Sequence, residues 1–207
     1  LYHFTFTYKY EMGDANMDDA LNVLDLQATL NASNGQEWGL SNFNAADTYG
    51  PNNDINVQDI VSTVNILLAQ ESQESNAPAG TFRAASLNDG EACVSVENGQ
   101  IVLYTTTPVA AVELRLAGIE PEYLKWNTED MGFATATSAQ ANGTHAIIYS
   151  MQLRQMEEGR TVLATFDSSL RPHLMSAVLS DSKARSINVG HTVPTGISRM
   201  SGDVANQ

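Results

Sequence analysis

The sequence predicts an α+β multidomain protein that joins a small all-α unit, built from a duplicated loop–helix, to an all-β antiparallel sandwich. The first observation is a repeated phrase: LNVLDLQATLN at 21–31 and INVQDIVSTVN at 55–65 share five identical residues in register. The second is a series of short alternating segments after residue 80, separated by turn sequences, which is typical of a sandwich. The third is the polar stretch AQESQESNAPAG at 69–80, which indicates a boundary between the two units.

Composition excludes several classes of function. The net charge of −14 argues against nucleic acid or an anionic membrane surface as a partner. No segment approaches the ~20 apolar residues that a membrane span needs. Cys93 is the only cysteine, which excludes an intrachain disulfide and any site built from several thiolates. Residues 1–70 contain nine acidic residues and one basic residue, so this half is either a solvated acidic face or a cation site.

The chain ahead of the first phrase, GDANMDDALNVLD, has the spacing of a cation-binding loop. Short oxygen-bearing side chains occupy loop positions 1, 3, 5, 9 and 12, namely Asp14, Asn16, Asp18, Asn22 and Asp25. A hard cation such as calcium takes six to eight oxygen ligands, and Ala20 at position 7 would add its backbone carbonyl. Asn22 would act through a water, and Asp19 stands where such loops usually have glycine. The competing interpretation is a polar turn followed by a capped helix.

A second loop, DTYGPNNDINVQD, precedes the second phrase and is one residue longer than the first. Its candidate ligands are Asp47 and Asp59 at the ends, Asn52 in the middle, the carbonyl of Asp54, and Asn56. Tyr49 lies where the first loop has Asn16, so we expect the second site to be weaker. Together the loops predict two calcium ions.

Residues 12–70 resemble a dockerin module, on the strength of the pattern D-x-N-x-D-x-x-[hydrophobic]-N-x-x-D, its duplication and the shared helix phrase. The resemblance implies calcium binding and docking onto a cohesin-type or other surface protein module. It also implies an extracellular or cell-surface location and a role in assembling polysaccharide-degrading or surface complexes.

The helices and the flanking segments follow from local patterns. Ile60, Val64, Leu67 and Leu68 form one apolar stripe, and the first helix should end near Gly35. Residues 1–11 are predicted to be a strand from a preceding region, 71–80 a linker and 191–207 a polar tail.

Residues 81–190 are predicted to form at least seven strands. CVSVENGQIVLY at 93–104 has a hairpin sequence around Asn-Gly, and a second Asn-Gly lies at 142–143. In AAVELRLAG, Val112, Leu114 and Leu116 share one face, with Glu113 and Arg115 on the other. This half resembles, more loosely, the cohesin and carbohydrate-binding superfamily of sandwiches.

No catalytic motif is present, so we expect no enzyme activity. The four histidines are scattered, and the sequence has neither H-E-x-x-H nor G-x-S-x-G. Trp38 and Trp126 could stack on sugar rings, but partial burial in the core is the expected state of both. Cys93 is expected to be a buried strand cysteine.

The leading interpretation is therefore a non-catalytic, calcium-dependent assembly module of a secreted or cell-surface protein, whose dockerin-like half packs against a partner or against its own sandwich in cis. The alternatives are a carbohydrate-binding module with a calcium-stabilised appendage, or an accessory region of a larger glycoside hydrolase.

Overall fold

Nine antiparallel strands form a sandwich-like body in the computed structural model, which describes residues 9–50, 52–70 and 90–197. One sheet has the order β1-β2-β7-β4 and the other β5-β6-β3-β8-β9. The strands are β1 (Ala92–Glu97), β2 (Gln100–Thr105), β3 (Ala111–Ala117), β4 (Lys125–Trp126), β5 (Ala134–Gln140), β6 (Gly143–Tyr149), β7 (Gly159–Thr165), β8 (His173–Ser180) and β9 (Ser186–Ile187). The α+β class and the antiparallel strands agree with the prediction.

The hairpin β1–β2 has the turn that its sequence predicts. Asn98 and Gly99 both have positive φ, 48° and 74°, and they connect the pair Glu97–Gln100. Two consecutive residues with positive φ match the right-handed twist of the flanking strands, which is why Asn-Gly is favoured there.

The main core lies between the two sheets and contains the predicted apolar face of β3. Val112, Leu114 and Leu116 are buried in it together with residues of β1, β2, β6 and β7. Cys93 is buried, as predicted, but on the other face of β1, beside Val102 and Tyr104.

Three helices precede the strands: α1 (Val23–Ser33), α2 (Phe43–Ala46) and α3 (Val57–Ala69). Helix α1 ends at Ser33, Asn34 is its C-cap, and Gly35 follows with φ 73°, so the helix ends near Gly35 as the sequence predicts. On α3, Ile60, Val64 and Leu67 are buried and Leu68 is partly buried, which confirms the predicted stripe.

Helices α1 and α3 pack on the outer face of the five-stranded sheet, so the protein has three layers. Their apolar side chains share one core with Ala111 of β3 and Ile147 of β6. The Asn31 amide also donates to the carbonyl of Ser182, 3.0 Å away. Packing of the helical half on its own sandwich in cis, one of the arrangements expected from the sequence, is therefore present in the structure.

The second Asn-Gly does not form the turn itself. The two-residue connection between β5 and β6 is Ala141-Asn142, and Gly143 is already the first residue of β6, paired with Gln140 and Ala117. The predicted hairpin is present, but its turn lies one residue earlier than the sequence suggested.

Several expectations fall on segments that the structure does not describe. Residues 1–8 of the predicted N-terminal strand, the linker 71–80 and the tail from 198 onward lie outside the described ranges, and residues 9–11 are not in a strand. In the described part of the tail, Val193 and Ile197 pack on Cys93, Val102 and Tyr104. None of the helices within the described ranges is long and apolar enough to cross a membrane.

Candidate metal centre

The first loop is a chain of short turns between Asp14 and helix α1. The backbone N–H of Asp18 donates to the Asp14 carboxylate and to Asn16 Oδ1, at 3.2 and 2.9 Å. Asp18 Oδ1 accepts in turn from the N–H of Ala20 at 3.0 Å. Asp19 has φ 63°, the strained conformation expected where such loops have glycine.

Three carboxylates converge in this loop. Asp14, Asp18 and Asp25 each have a carboxylate oxygen within 4.8 Å of the other two. Asp14 and Asp25 are buried, with 5% and 0% of their surface exposed, whereas Asp18 is exposed. Burial, followed by the charges of Asp18 and Asp14, raises the pKa of Asp25 to about 7, although two backbone N–H groups oppose the shift. Three carboxylates at this spacing repel one another, and a divalent cation would remove that repulsion.

Asp25 connects the loop to the helix. Its two oxygens accept from the N–H groups of Asn16 and Asn22, at 3.2 and 3.0 Å. Asn22 is the N-cap of α1, and its side chain accepts from Leu24 N at 2.8 Å, which completes a capping box with Asp25. Asp25 therefore fixes the position of the helix start relative to the loop.

The remaining candidate ligands of the first loop already have local partners. The Ala20 carbonyl accepts from the Asn22 side-chain amide at 3.1 Å, and Asn16 Nδ2 donates to Asp18 Oδ2 at 3.1 Å. A carbonyl or carboxylate oxygen has two lone pairs and can accept one hydrogen bond while it binds a cation. The oxygen set of the first loop is thus suited to calcium.

The second loop repeats the same connection between loop and helix. Asp59 is fully buried, and its two oxygens accept from the N–H groups of Tyr49 and Asn56, each at 2.9 Å. Asn56 is the N-cap of α3 and forms the corresponding capping box with Asp59. The longer second loop thus reaches the same geometry at its end.

Asp47 has a buried oxygen without a hydrogen-bond partner. Only 2% of Asp47 is exposed; its Oδ2 accepts from the N–H groups of Asn52 and Asn53, while its Oδ1 has no partner. A buried carboxylate oxygen without a partner is costly, and a cation would satisfy it. Asn52 and Asp54 are exposed, however, and hydrogen-bond within the loop. Among the described residues, Asp47, Asp54 and Asp59 do not form a three-carboxylate group like that of the first loop.

The two tryptophans differ in exposure. Trp126 is partly buried against the main core, as expected, but 54% of Trp38 is exposed, so the expected partial burial of Trp38 is wrong. Trp38 lies in the connection between α1 and α2, and the Lys183 ammonium lies 4.8 Å from its ring centre. A cation over the ring stabilises an aromatic side chain that remains at the surface.

Sequence reasoning did not single out Glu113, which belongs to the polar face of β3. The structure covers that face with α1, and only 6% of Glu113 is exposed. The sequence feature that could have indicated a buried polar contact lies on the neighbouring strand. His145 of β6 pairs with Arg115 and is followed by apolar residues, so a polar partner for it was to be expected on β3.

Comparison with known proteins does not assign this chain to a family. No protein-family model matches it, and no curated protein matches it. A chain from the crystal structure of a dockerin–cohesin complex, that of a CaDoc0917 variant with CaCohA2 at pH 5.5, is similar with a TM-score of 0.30. The identity is 13%, and the match covers 49% of this chain and 93% of that chain. A likeness at this level carries no argument about function.

Proposed function

We propose that this chain is a non-catalytic, calcium-stabilised module that assembles proteins outside the cell, in the manner that its resemblance to dockerins implies. The observation that supports this function most directly is the convergence of Asp14, Asp18 and Asp25 at the start of α1. A cation there would be held by these three carboxylates with Asn16, the Ala20 carbonyl and, through water, Asn22. A second, weaker site would use Asp47 with Asn52, the Asp54 carbonyl, Asn56 and Asp59.

The bound cation would supply charge compensation and would tie each loop to its helix. Asp25 and Asp59 are the third residues of their helices, and each holds two N–H groups of its own loop. A cation bound to these carboxylates stabilises the folded loop and the first helical turn together, because metal binding and folding are coupled.

Calcium is expected to raise the melting temperature and magnesium to raise it less, because Mg²⁺ favours a smaller octahedral shell. At a concentration 100 times the dissociation constant, one site contributes about 2.7 kcal/mol. For a chain of this size that corresponds to roughly 5–10 °C. Calorimetric titration should resolve two sites, the tighter one lost in Asp14→Ala. The absence of both binding heat and any chelator effect on melting would refute the proposed calcium sites.

The duplicated phrase indicates which surface meets a partner. In α1, Val23, Gln27 and Asn31 are at most 1% exposed, because they are covered within the chain. The equivalent residues of α3 are Val57, Val61 and Asn65 (the α3 face), and all three are exposed: Val57 by 56% and Val61 by 51%. Val57 and Val61 are four residues apart and are neighbours on the helix surface. Since α1 already packs on a β-sheet, we assign to the α3 face a β-sandwich module of another protein.

Docking through the α3 face is expected to weaken at least tenfold in the double variant Val57→Glu/Val61→Glu, since a buried hot-spot side chain contributes more than 1 kcal/mol. Met175→Glu is the matched control, because Met175 is 58% exposed but lies on β8 of the sandwich. The measurement is a dissociation constant for a purified β-sandwich module, captured from surface proteins of the source organism in calcium. Equal affinity of the double variant and wild type would exclude the α3 face. A protein partner without a β-sandwich would contradict the partner assigned to the α3 face. A soluble glycan as the retained ligand would contradict the assembly function.

The alternative of a carbohydrate-binding module receives no support from the sandwich. The large aromatic residues exposed in the described ranges are Tyr10, Trp38, Phe43, Tyr49 and Tyr123. Only Tyr123 belongs to the sandwich half, and it lies in a 3₁₀ turn at Pro121–Tyr123. A sugar-binding sheet face would need several aromatic side chains on neighbouring strands.

A further inference from the structure

Glu113 of β3 connects the sandwich to the end of the first loop. Its Oε2 accepts from the backbone N–H of Val23, the first residue of α1, at 3.0 Å. Its Oε1 lies 3.0 Å from His145 Nε2 and 3.8 Å from the Arg115 guanidinium. The sandwich thus caps the helix that begins at the candidate metal centre.

Burial favours one position for the proton shared between His145 and Glu113. His145 is fully buried, and its Nδ1 has no hydrogen-bond partner. A protonated imidazole would leave an N–H at that position without an acceptor, which costs more than an unused acceptor atom. With its proton on Nε2, His145 donates to Glu113 Oε1, and Glu113 Oε2 accepts the Val23 N–H.

This contact has no counterpart in the second repeat. Val57, the equivalent of Val23, is exposed, and its N–H has no acceptor from the sandwich within the described ranges. Two carboxylates therefore fix the end of the first loop by hydrogen bonds: Asp25 of the helix and Glu113 of the sheet. The N–H groups of Asn22 and Val23, neighbours in sequence, carry these two bonds.

We propose that Glu113 is a positioning residue that couples cation binding in the first loop to docking of α1 on the sandwich. This inference rests on the proposed calcium site. Glu113 holds the start of α1 in the place where Asp25 faces Asp14 and Asp18, so the loop is preorganised by the sheet. Because coupling between two equilibria is reciprocal, a cation in the loop also stabilises the contact between helix and sheet.

The test compares Glu113→Ala with wild type in the full chain. Two quantities are measured: the calcium affinity of the tighter site, by calorimetry, and the exchange rate of the Val23 amide hydrogen, by NMR. We expect Glu113→Ala to weaken the affinity about tenfold, within the 5–150-fold range of such couplings. Exchange at Val23 should accelerate by a similar factor, because its acceptor is gone. Glu113→Gln keeps one acceptor oxygen and should give an intermediate change in both quantities.

Thr144→Val is the matched control, since Thr144 is buried on β6 beside His145 and donates to the Ile119 carbonyl at 2.8 Å. It should lower the melting temperature but leave the calcium affinity and the exchange at Val23 unchanged. If wild type binds calcium and Glu113→Ala binds it equally well, the role of Glu113 is overturned and the calcium site stands. If wild type binds no calcium, both are overturned. Should Glu113→Ala fail to fold, Glu113→Gln decides: wild-type values for both quantities overturn the coupling, and intermediate values support it.

Discussion

With calcium bound, the free energy of unfolding of Asp25→Ala is expected to be about 3–5 kcal/mol lower than that of the wild type. Losses of this size are typical when one partner of a buried charge pair is removed. The variant loses a cation ligand, and it leaves the N–H groups of Asn16 and Asn22 without their acceptor. Chemical denaturation in calcium and in chelator measures the two contributions separately.

In chelator the loss should be smaller, because removing one carboxylate also relieves the repulsion from Asp14 and Asp18. Glu37→Ala is the control: it removes the same charge from an exposed residue between α1 and α2, outside both loops. Its effect should stay within about 0.5 kcal/mol, as for most surface substitutions. Because the second site remains, part of the calcium-induced gain in stability should survive in Asp25→Ala. A gain as large in Asp25→Ala as in the wild type would place the cation that causes it outside the first loop.

Features set by neighbouring residues could be predicted from the sequence. The turn at Asn98-Gly99, the end of α1 just before Gly35 and the stripe on α3 each depend on a few adjacent side chains. The spacing of acidic residues in the first loop likewise indicated which carboxylates meet, because a twelve-residue loop confines them to a small volume.

Features set by contacts between distant segments could not be predicted. Gln27 and Asn31 are polar residues of α1, so periodicity places them at the surface, yet they are at most 1% exposed. They hydrogen-bond to each other, and Asn31 reaches the carbonyls of Trp38 and Ser182. The burial of Glu113 could not be predicted from its own strand either, since an alternating pattern gives no indication that a helix will cover the polar face.

The second Asn-Gly correctly predicted a hairpin, but its glycine is needed for a reason other than positive φ. Glycine after asparagine indicated a turn that needs positive φ, but the φ of Gly143 lies outside the left-handed range. Gly143 faces the backbone of β3: a Cβ added there would lie 1.9 Å from the carbonyl oxygen of Leu116. Close approach of another backbone is the other physical reason for glycine in a strand.

Gly143→Ala is therefore expected to destabilise the protein by at least about 3 kcal/mol, the upper range for overpacking, because the obstacle is backbone and cannot rotate away. The added Cβ would also lie 2.9 Å from Ala117 Cα. Strands β3 and β6 must separate at this end, where Ala117 pairs with Gly143. Urea denaturation should show a lower midpoint with an unchanged slope if the variant still folds to the same state.

Asn142→Ala separates the two explanations for this glycine. Asn142 is exposed and occupies the turn, and its carbonyl, which accepts from Gly118 N–H, is retained in the variant. If the Asn-Gly pair were needed for turn conformation, both substitutions would lower stability by comparable amounts. If close approach of the two strands is the cause, Asn142→Ala should change stability by less than about 0.5 kcal/mol, as at an ordinary surface position. A small effect of Gly143→Ala beside a large effect of Asn142→Ala would reverse this assignment and restore the turn as the reason for the pair.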